Sequence, residues 1–288
     1  MKISVKSIFL GVPCLVTVLT VLFCGAAFAH EPIFGLGPHV IYKGGIGVEM
    51  EYELNKASGH HQKEKESGLG AEVIYGITAD LAATIAFPYS FRKEVSNQIG
   101  TQDSSGIGDV SLRLKYRFWR HDLPGIQDSA AIIGGVKLPT GDSHATPPLG
   151  SGSTDFICAF AAARESLKWY YFGDIRCKIN TEGTRDLKKG NLLFVDLAVG
   201  IRPWPTQYLK PDLVVMTELN WETKTRDRLN GNKVNDSGAN QLFLSPGFFL
   251  TYRNWAVKGG VQLPIYQDFN GEQAEDDYRF SLAIEAHF

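Results

Sequence analysis

The chain shows little excess of any property that would classify it at a glance. Its mean hydropathy is -0.11, too low for a bundle of membrane helices. Its charge is close to balanced, with 29 Lys and Arg against 31 Asp and Glu. A nucleic-acid partner calls for a basic surface, so none is expected. Cysteine is scarce, four in the whole chain, and Cys14 and Cys24 both fall within the first 29 residues. Catalytic motifs are scarce as well. A serine hydrolase needs Ser, His and an orienting group in contact; His144 and Ser151 could meet, but no motif surrounds them. Gly106-Ile107-Gly108 and the Gly-Ser run at 150–153 are not phosphate loops, because no helix follows to present its amides. An enzyme is not expected, nor is a cofactor.

What is present begins with a leader. Lys2 and Lys6 precede an apolar run from Ile8 to Phe28, and Ala27-Phe28-Ala29 is a small-x-small cleavage site. Residues 1–29 are expected to be a cleaved signal peptide, with an uncleaved anchor as the alternative. Lipidation at Cys24 is disfavoured by Phe23, which stands where a small residue is needed. Cleavage leaves 27 basic and 31 acidic residues, a net charge of -4, and two cysteines, Cys158 and Cys177.

The remainder is organised by a period of two. Tyr278, Phe280, Leu282, Ile284, Ala286 and Phe288 alternate with Asp277, Arg279, Ser281, Ala283, Glu285 and His287. One apolar and one charged face describe a β-strand between two different solvents. Closing strands of bacterial outer-membrane barrels look like this, ending on an aromatic; Tyr278, Phe280, Leu282, Ile284 and Phe288 are the expected signal to the barrel-assembly machinery. The same alternation recurs through the chain. Ile46, Val48, Met50, Tyr52 and Leu54 oppose Gly45, Gly47, Glu49, Glu51 and Glu53. Val110, Leu112, Leu114, Tyr116 and Phe118 oppose Asp109, Ser111, Arg113, Lys115 and Arg117. About twelve such strands of roughly ten residues can be counted, the length a tilted strand needs to cross a bilayer. The predicted fold is an all-β transmembrane antiparallel barrel over residues 44–288. A soluble β-sandwich or lipocalin-like barrel is the alternative.

Long polar links are predicted after the odd strands, including 55–67, 92–106 and 223–239, and short links after the even ones. This asymmetry matches outer-membrane barrels, with long extracellular loops and short periplasmic turns, and an even strand count puts both termini in the periplasm. Trp119, Trp169, Trp204 and Trp255 fall beside the short links and Trp221 at the opposite end, as interfacial aromatics do. Pro246, inside a strand, removes a ladder donor and is expected to mark a bulge.

Several stretches go beyond generic alternation. Gly106-Ile107-Gly108-Asp109-Val110 leads into Leu114-Lys115-Tyr116-Arg117-Phe118. Gly135 to Asp142 (GVKLPTGD) and Leu149 to Phe156 (LGSGSTDF) follow. In order and spacing they resemble the family labelled "MetA-pathway of phenol degradation". That resemblance implies a Gram-negative outer-membrane transporter and suggests passage of small, aromatic or hydrophobic solutes. It supplies no functional residues.

The polar phase is expected to line the lumen: Glu49, Glu51, Glu53, Asp109, Arg113, Lys115, Arg117, Asp174, Arg176, Lys178, Asp196, Glu218, Glu222, Lys258, Arg279 and Glu285. These charges either border a polar channel or pair across the lumen and fill it, as in small barrels. The filled reading goes with a structural or surface-interaction barrel. Residues 30–43, rich in Pro and Gly, are expected to precede the barrel on the periplasmic side and to fold into it as a plug. His30, as a free N-terminus, is a weak copper candidate that His39, His60 or His61 could assist; solvated histidines are the alternative. Cys158 and Cys177 should lie nearly opposite on adjacent strands, bonded or free. The expected partners are outer-membrane lipid and a small-molecule solute.

Overall fold

The computed structural model describes residues 31–59, 62–97, 100–204 and 210–288. The leader, His30, His60 and His61 lie outside these residues. Sixteen strands are present among them: β1 (Ile46–Ser58), β2 (Gln62–Gly76), β3 (Leu81–Asn97), β4 (Gly100–Ile107), β5 (Ser111–Leu123), β6 (Ile126–Lys137), β7 (Asp155–Ser166) and β8 (Trp169–Ile179). The series continues with β9 (Leu187–Lys188), β10 (Leu192–Ile201), β11 (Asp212–Lys224), β12 (Arg228–Leu229), β13 (Asn232–Lys233), β14 (Ala239–Tyr252), β15 (Trp255–Phe269) and β16 (Glu275–His287).

The wall is antiparallel throughout and closes on itself, β1 pairing with β16 (Met50 opposite Ile284). β4 and β5 share one place in it. β3 pairs with β4 along its outer part and with β5 along its inner part, giving a closed barrel of twelve strands. Closure removes the free edges that a lipid-exposed sheet cannot have.

Exposure runs opposite to that of a soluble protein. Leu114 is 52% exposed and Glu218 0%. Leu112, Tyr116, Phe118, Ile132, Phe160, Ile175, Leu197, Leu219, Leu282 and Ile284 also point outward and stay exposed. This apolar phase is the lipid surface, and the polar phase faces in. All five tryptophans are exposed. Beyond the level of Trp119, Asp128 on β6 meets Arg164 on β7 through Nε at 2.6 Å and Nη2 at 2.7 Å. Those hydrogen bonds hold the Asp128 carboxyl below the usual carboxylate range.

Three predicted loops are more ordered than expected. Within the polar runs predicted as loops at 55–67 and 92–106, residues 55–58, 62–67, 92–97 and 100–106 are strand. β1 and β2 stay in register to Ser58 opposite Lys63, and β3 and β4, after a register shift between Ser90 and Lys93, pair as far as Asn97 opposite Gly100. Past the bilayer a strand needs no apolar face, because the ladder itself satisfies its backbone. The run at 223–239 contains the β12–β13 hairpin, which joins β9 in a small second sheet. Asn230 and Gly231 turn that hairpin at φ 50° and 77°, a left-handed pair that Asn-Gly accommodates well. Pro246 is not a bulge. The β14–β15 register is the same on both sides of it, Leu244 opposite Leu263 and Gly247 opposite Gly260; the bulge falls at Leu242/Phe243.

The chain ahead of β1 completes the interior. Near the end that carries the short links, Ile33 packs in a buried cluster with Ala163, Tyr170, Phe172, Ala198, Val214, Met216, Phe249 and Ala256, with Phe34 against it.

Candidate functional site: the lumen and the segment inside it

Residues 31–42 contain Pro32 and Pro38, which carry no N–H, and two glycines, Gly35 and Gly37. Such a stretch cannot complete a ladder, so its amides need acceptors elsewhere. The wall supplies them. Glu218 on β11 accepts from Ile33 N (Oε1, 2.5 Å) and from Phe34 N and Gly35 N (Oε2, both 3.2 Å). Asp174 on β8 accepts from Leu36 N at 2.6 Å. Glu31 pairs with Lys115 on β5 at 2.9 Å. His39 Nε2 lies 3.3 Å from Glu165 on β7, with its ring edge-on to Phe172. Strands from most of the circumference touch the segment, so it lies within the barrel.

Glycines make the room. A Cβ on Gly247 would come within 2.2 Å of Ile33 Cδ1, and one on Gly35 within 2.8 Å of Asp174 Oδ1. At the segment's exit, a Cβ on Gly76 would sit 2.0 Å from the Tyr42 carbonyl oxygen. Backbone of the segment and backbone of the wall are in contact there.

The other predicted lumen residues are tied to neighbours. Lys258 bridges to Glu49 at 3.0 Å, Glu51 accepts from Ser281 Oγ at 2.5 Å, and Arg117 takes Asp80 at 2.7 Å. Arg113 pairs with Glu72 and Glu285 with His287. Lys178 is 4.0 Å from Asp155, and Arg279 bridges Glu222 at 3.0 Å and Asp276 at 2.8 Å. Glu53 is exposed. Asp109 departs from its expected place on a strand. It occupies the break between β4 and β5, accepts from Gly141 N at 3.0 Å and Ser151 N at 2.9 Å, and meets Lys137 at 2.5 Å. Lys137 also pairs with Asp155 at 3.0 Å. The loop at 138–154 is pinned to the wall by this buried cluster.

Ser151 and His144 do not meet: Ser151 Oγ bonds Asp109, Lys137 and Ser153, whereas His144 faces Ser143. Cys158 and Cys177 are direct cross-strand partners and are both free thiols. Among the described residues no group of three His, Cys, Asp or Glu is arranged to hold a metal ion.

The sequence reading missed the inward apolar residues. On the loop side of the segment, Phe34, Phe194 and Phe243 border a cavity of ≈ 170 Å³ together with Arg176, Asp196, Asn220, Glu222, Gln262 and Arg279. Val214, Met216 and Phe249 also face in. One signal was available. The run Leu213-Val214-Val215-Met216 breaks the alternation, as a wall position does when it packs against something inside.

The fold is that of known outer-membrane barrels. It is similar to the COG4313 outer membrane channel from Pseudomonas putida F1, with a TM-score of 0.66 at 14% identity, covering 86% of this chain and 97% of that one. It is also similar to the beta domain of the Bordetella autotransporter BrkA, with a TM-score of 0.53 at 10% identity, covering 85% and 99%. No curated protein matches the sequence. The protein is an outer-membrane β-barrel. The family model described as "Putative MetA-pathway of phenol degradation" matches residues 29–282, and the chain belongs to that family.

Proposed function

We propose that this barrel is a passive outer-membrane channel for small molecules, gated by residues 31–42. The observation that carries the reading is the way the segment is held. Four of its amides bond to two wall carboxylates, Glu218 and Asp174, and no ladder joins it to the wall. Four such bonds are far fewer than the ladder that holds a strand of the same length in a sheet, so the segment can leave without opening the wall. The wide lumen-facing polar phase gives a solute a wet surface once the segment moves. The short links and both termini would face the periplasm, the loop end the outside, and the closing strand to Phe288 would be read by the assembly machinery. A hydrolase is the weaker reading, because Ser151 is bonded to Asp109 and Lys137 and not to a histidine.

A second route is favoured by one feature. Among the described residues β4 has ladder partners on β3 alone, and its far edge is covered by the loop, through Ser104 Oγ to the Pro147 carbonyl at 2.6 Å. An apolar solute could leave the lumen sideways there.

Single-channel conductance of the refolded mature protein, beside a form lacking residues 31–42, tests the channel. Larger conductance steps from the shortened form are expected, and small phenols should modulate them. Equal or absent current from both forms, with the barrel folded, would reject gating by the segment.

A further inference from the structure

The cavity above the segment has a chemistry of its own. Its volume of ≈ 170 Å³ is close to the roughly 150 Å³ that holds a benzene molecule in an engineered core. Three phenyl rings border it, from Phe34, Phe194 and Phe243. The Arg176 Cζ lies 4.4 Å from the Phe194 ring centroid, and the Arg279 Cζ 4.5 Å from that of Phe243.

The two guanidinium groups are not equivalent. Arg279 is committed to Glu222 and Asp276. Arg176 pairs weakly with Asp196, Nη2 to Oδ2 at 3.5 Å, and its Nε is buried with no hydrogen-bond partner. Asp196 is engaged from the other side by Asn220 Nδ2 at 2.9 Å. A buried donor without an acceptor is unfavourable as it stands, and a turn of the guanidinium onto an incoming oxygen relieves it. Nε and Nη2 form the planar fork that takes both oxygens of one carboxylate.

We propose that this cavity is a binding site for a single-ring aromatic monocarboxylate. The ring lies among Phe34, Phe194 and Phe243, and the carboxylate sits on the Nε–Nη2 edge of Arg176. Asp196 and Glu222 border the same space and are offset there by Arg176 and Arg279, which leaves nothing to offset a second negative charge. Phe34 belongs to the gating segment, so a bound ring touches the gate. The proposal deepens the channel reading by naming a class of solute, but binding can be measured without flux.

Benzoate is titrated into the refolded mature protein in uncharged detergent, followed by ligand-observed NMR, with cyclohexanecarboxylate and phenol as comparison probes. Saturable benzoate binding is expected. Arg176→Gln should weaken it at least tenfold, and Arg176→Lys, which keeps the charge without the fork, should weaken it too. Lys224→Gln, outside the cavity, should leave it unchanged. Near-ultraviolet circular dichroism of each variant checks the fold. No saturable binding to the folded wild type would overturn the site, as would unchanged binding to both folded Arg176 variants. Phenol binding as tightly as benzoate would overturn the carboxylate assignment, and cyclohexanecarboxylate doing so would overturn the role of the rings. Benzoate binding without conductance leaves this site standing and removes the channel; conductance without benzoate binding does the reverse.

Discussion

The Ile33 amide donates to Oε1 of Glu218 at 2.5 Å across 185 residues of sequence. Glu218 is 0% exposed and accepts from the next two amides as well. A carboxylate facing the centre of the lumen is thereby neither free nor paired with a cation. It holds the segment ahead of β1 by the backbone.

Removing that carboxylate should release the segment. A hydrogen bond to a charged group contributes about 1.5–3 kcal/mol, and Glu218→Ala deletes three of them. The ratio of seated to released segment should fall by roughly 10- to 100-fold, even with water making up part of the loss. Limited proteolysis within residues 31–42 and open-channel probability should both rise. A segment equally protected in Glu218→Ala would show that the Ile33 cluster alone retains it.

The Lys137 cluster is the second test. Lys137 lies between Asp109 and Asp155, all three largely buried. Lys137→Met keeps the bulk and strands two carboxylates, a change that costs about 3–5 kcal/mol for a buried pair. Urea unfolding of the refolded barrel should show the loss, and Asp109→Asn added to it should restore part. A neutral effect would mean that water reaches the cluster.

Acid should act on the Asp128–Arg164 pair at the short-link end. The folded carboxyl is held below its ordinary value by the Arg164 hydrogen bonds. Its contribution is therefore full above the unfolded carboxylate pKa of about 3.9 and is lost as pH falls through the lower folded value. The stability difference between wild type and Asp128→Asn should be constant from pH 7 down to about 4 and shrink below that. A difference that vanished at pH 6 would contradict the pairing.

The outward face can be tested at Leu114, 52% exposed among apolar neighbours. Leu114→Arg should destabilise the barrel in lipid by about 2–4 kcal/mol if the site lies near the midplane. Equilibrium unfolding in vesicles measures it. Cysteine at Arg113 or Glu285 should react with a charged reagent faster than cysteine at Leu112 or Leu282; equal rates would reverse the face assignment.

Much of this was legible in the sequence. The alternation of Leu112, Leu114, Tyr116 and Phe118 with Arg113, Lys115 and Arg117 already names a strand with one lipid face, because side chains on a strand alternate and charge on hydrocarbon is costly. The strand number and the positions of Trp119, Trp169, Trp204, Trp221 and Trp255 at strand ends follow from the same pattern. The stretches 55–58, 62–67, 92–97 and 100–106 read as loop along the chain although they are strand, since alternation disappears where both faces meet water while the ladder continues. Which inward charge meets which partner depended on barrel closure. Lys258 finds Glu49, and Ile33 finds Glu218, only once β1 and β16 have joined and the interior has become small. The cavity beside Arg176 was likewise invisible along the chain, because Phe34, Phe194 and Phe243 come together only when the N-terminal segment enters the lumen. The sequence alone determined which face of each strand meets lipid, a local matter of period two; the tertiary structure decided what the inward faces hold, a matter of distances between residues far apart in the chain.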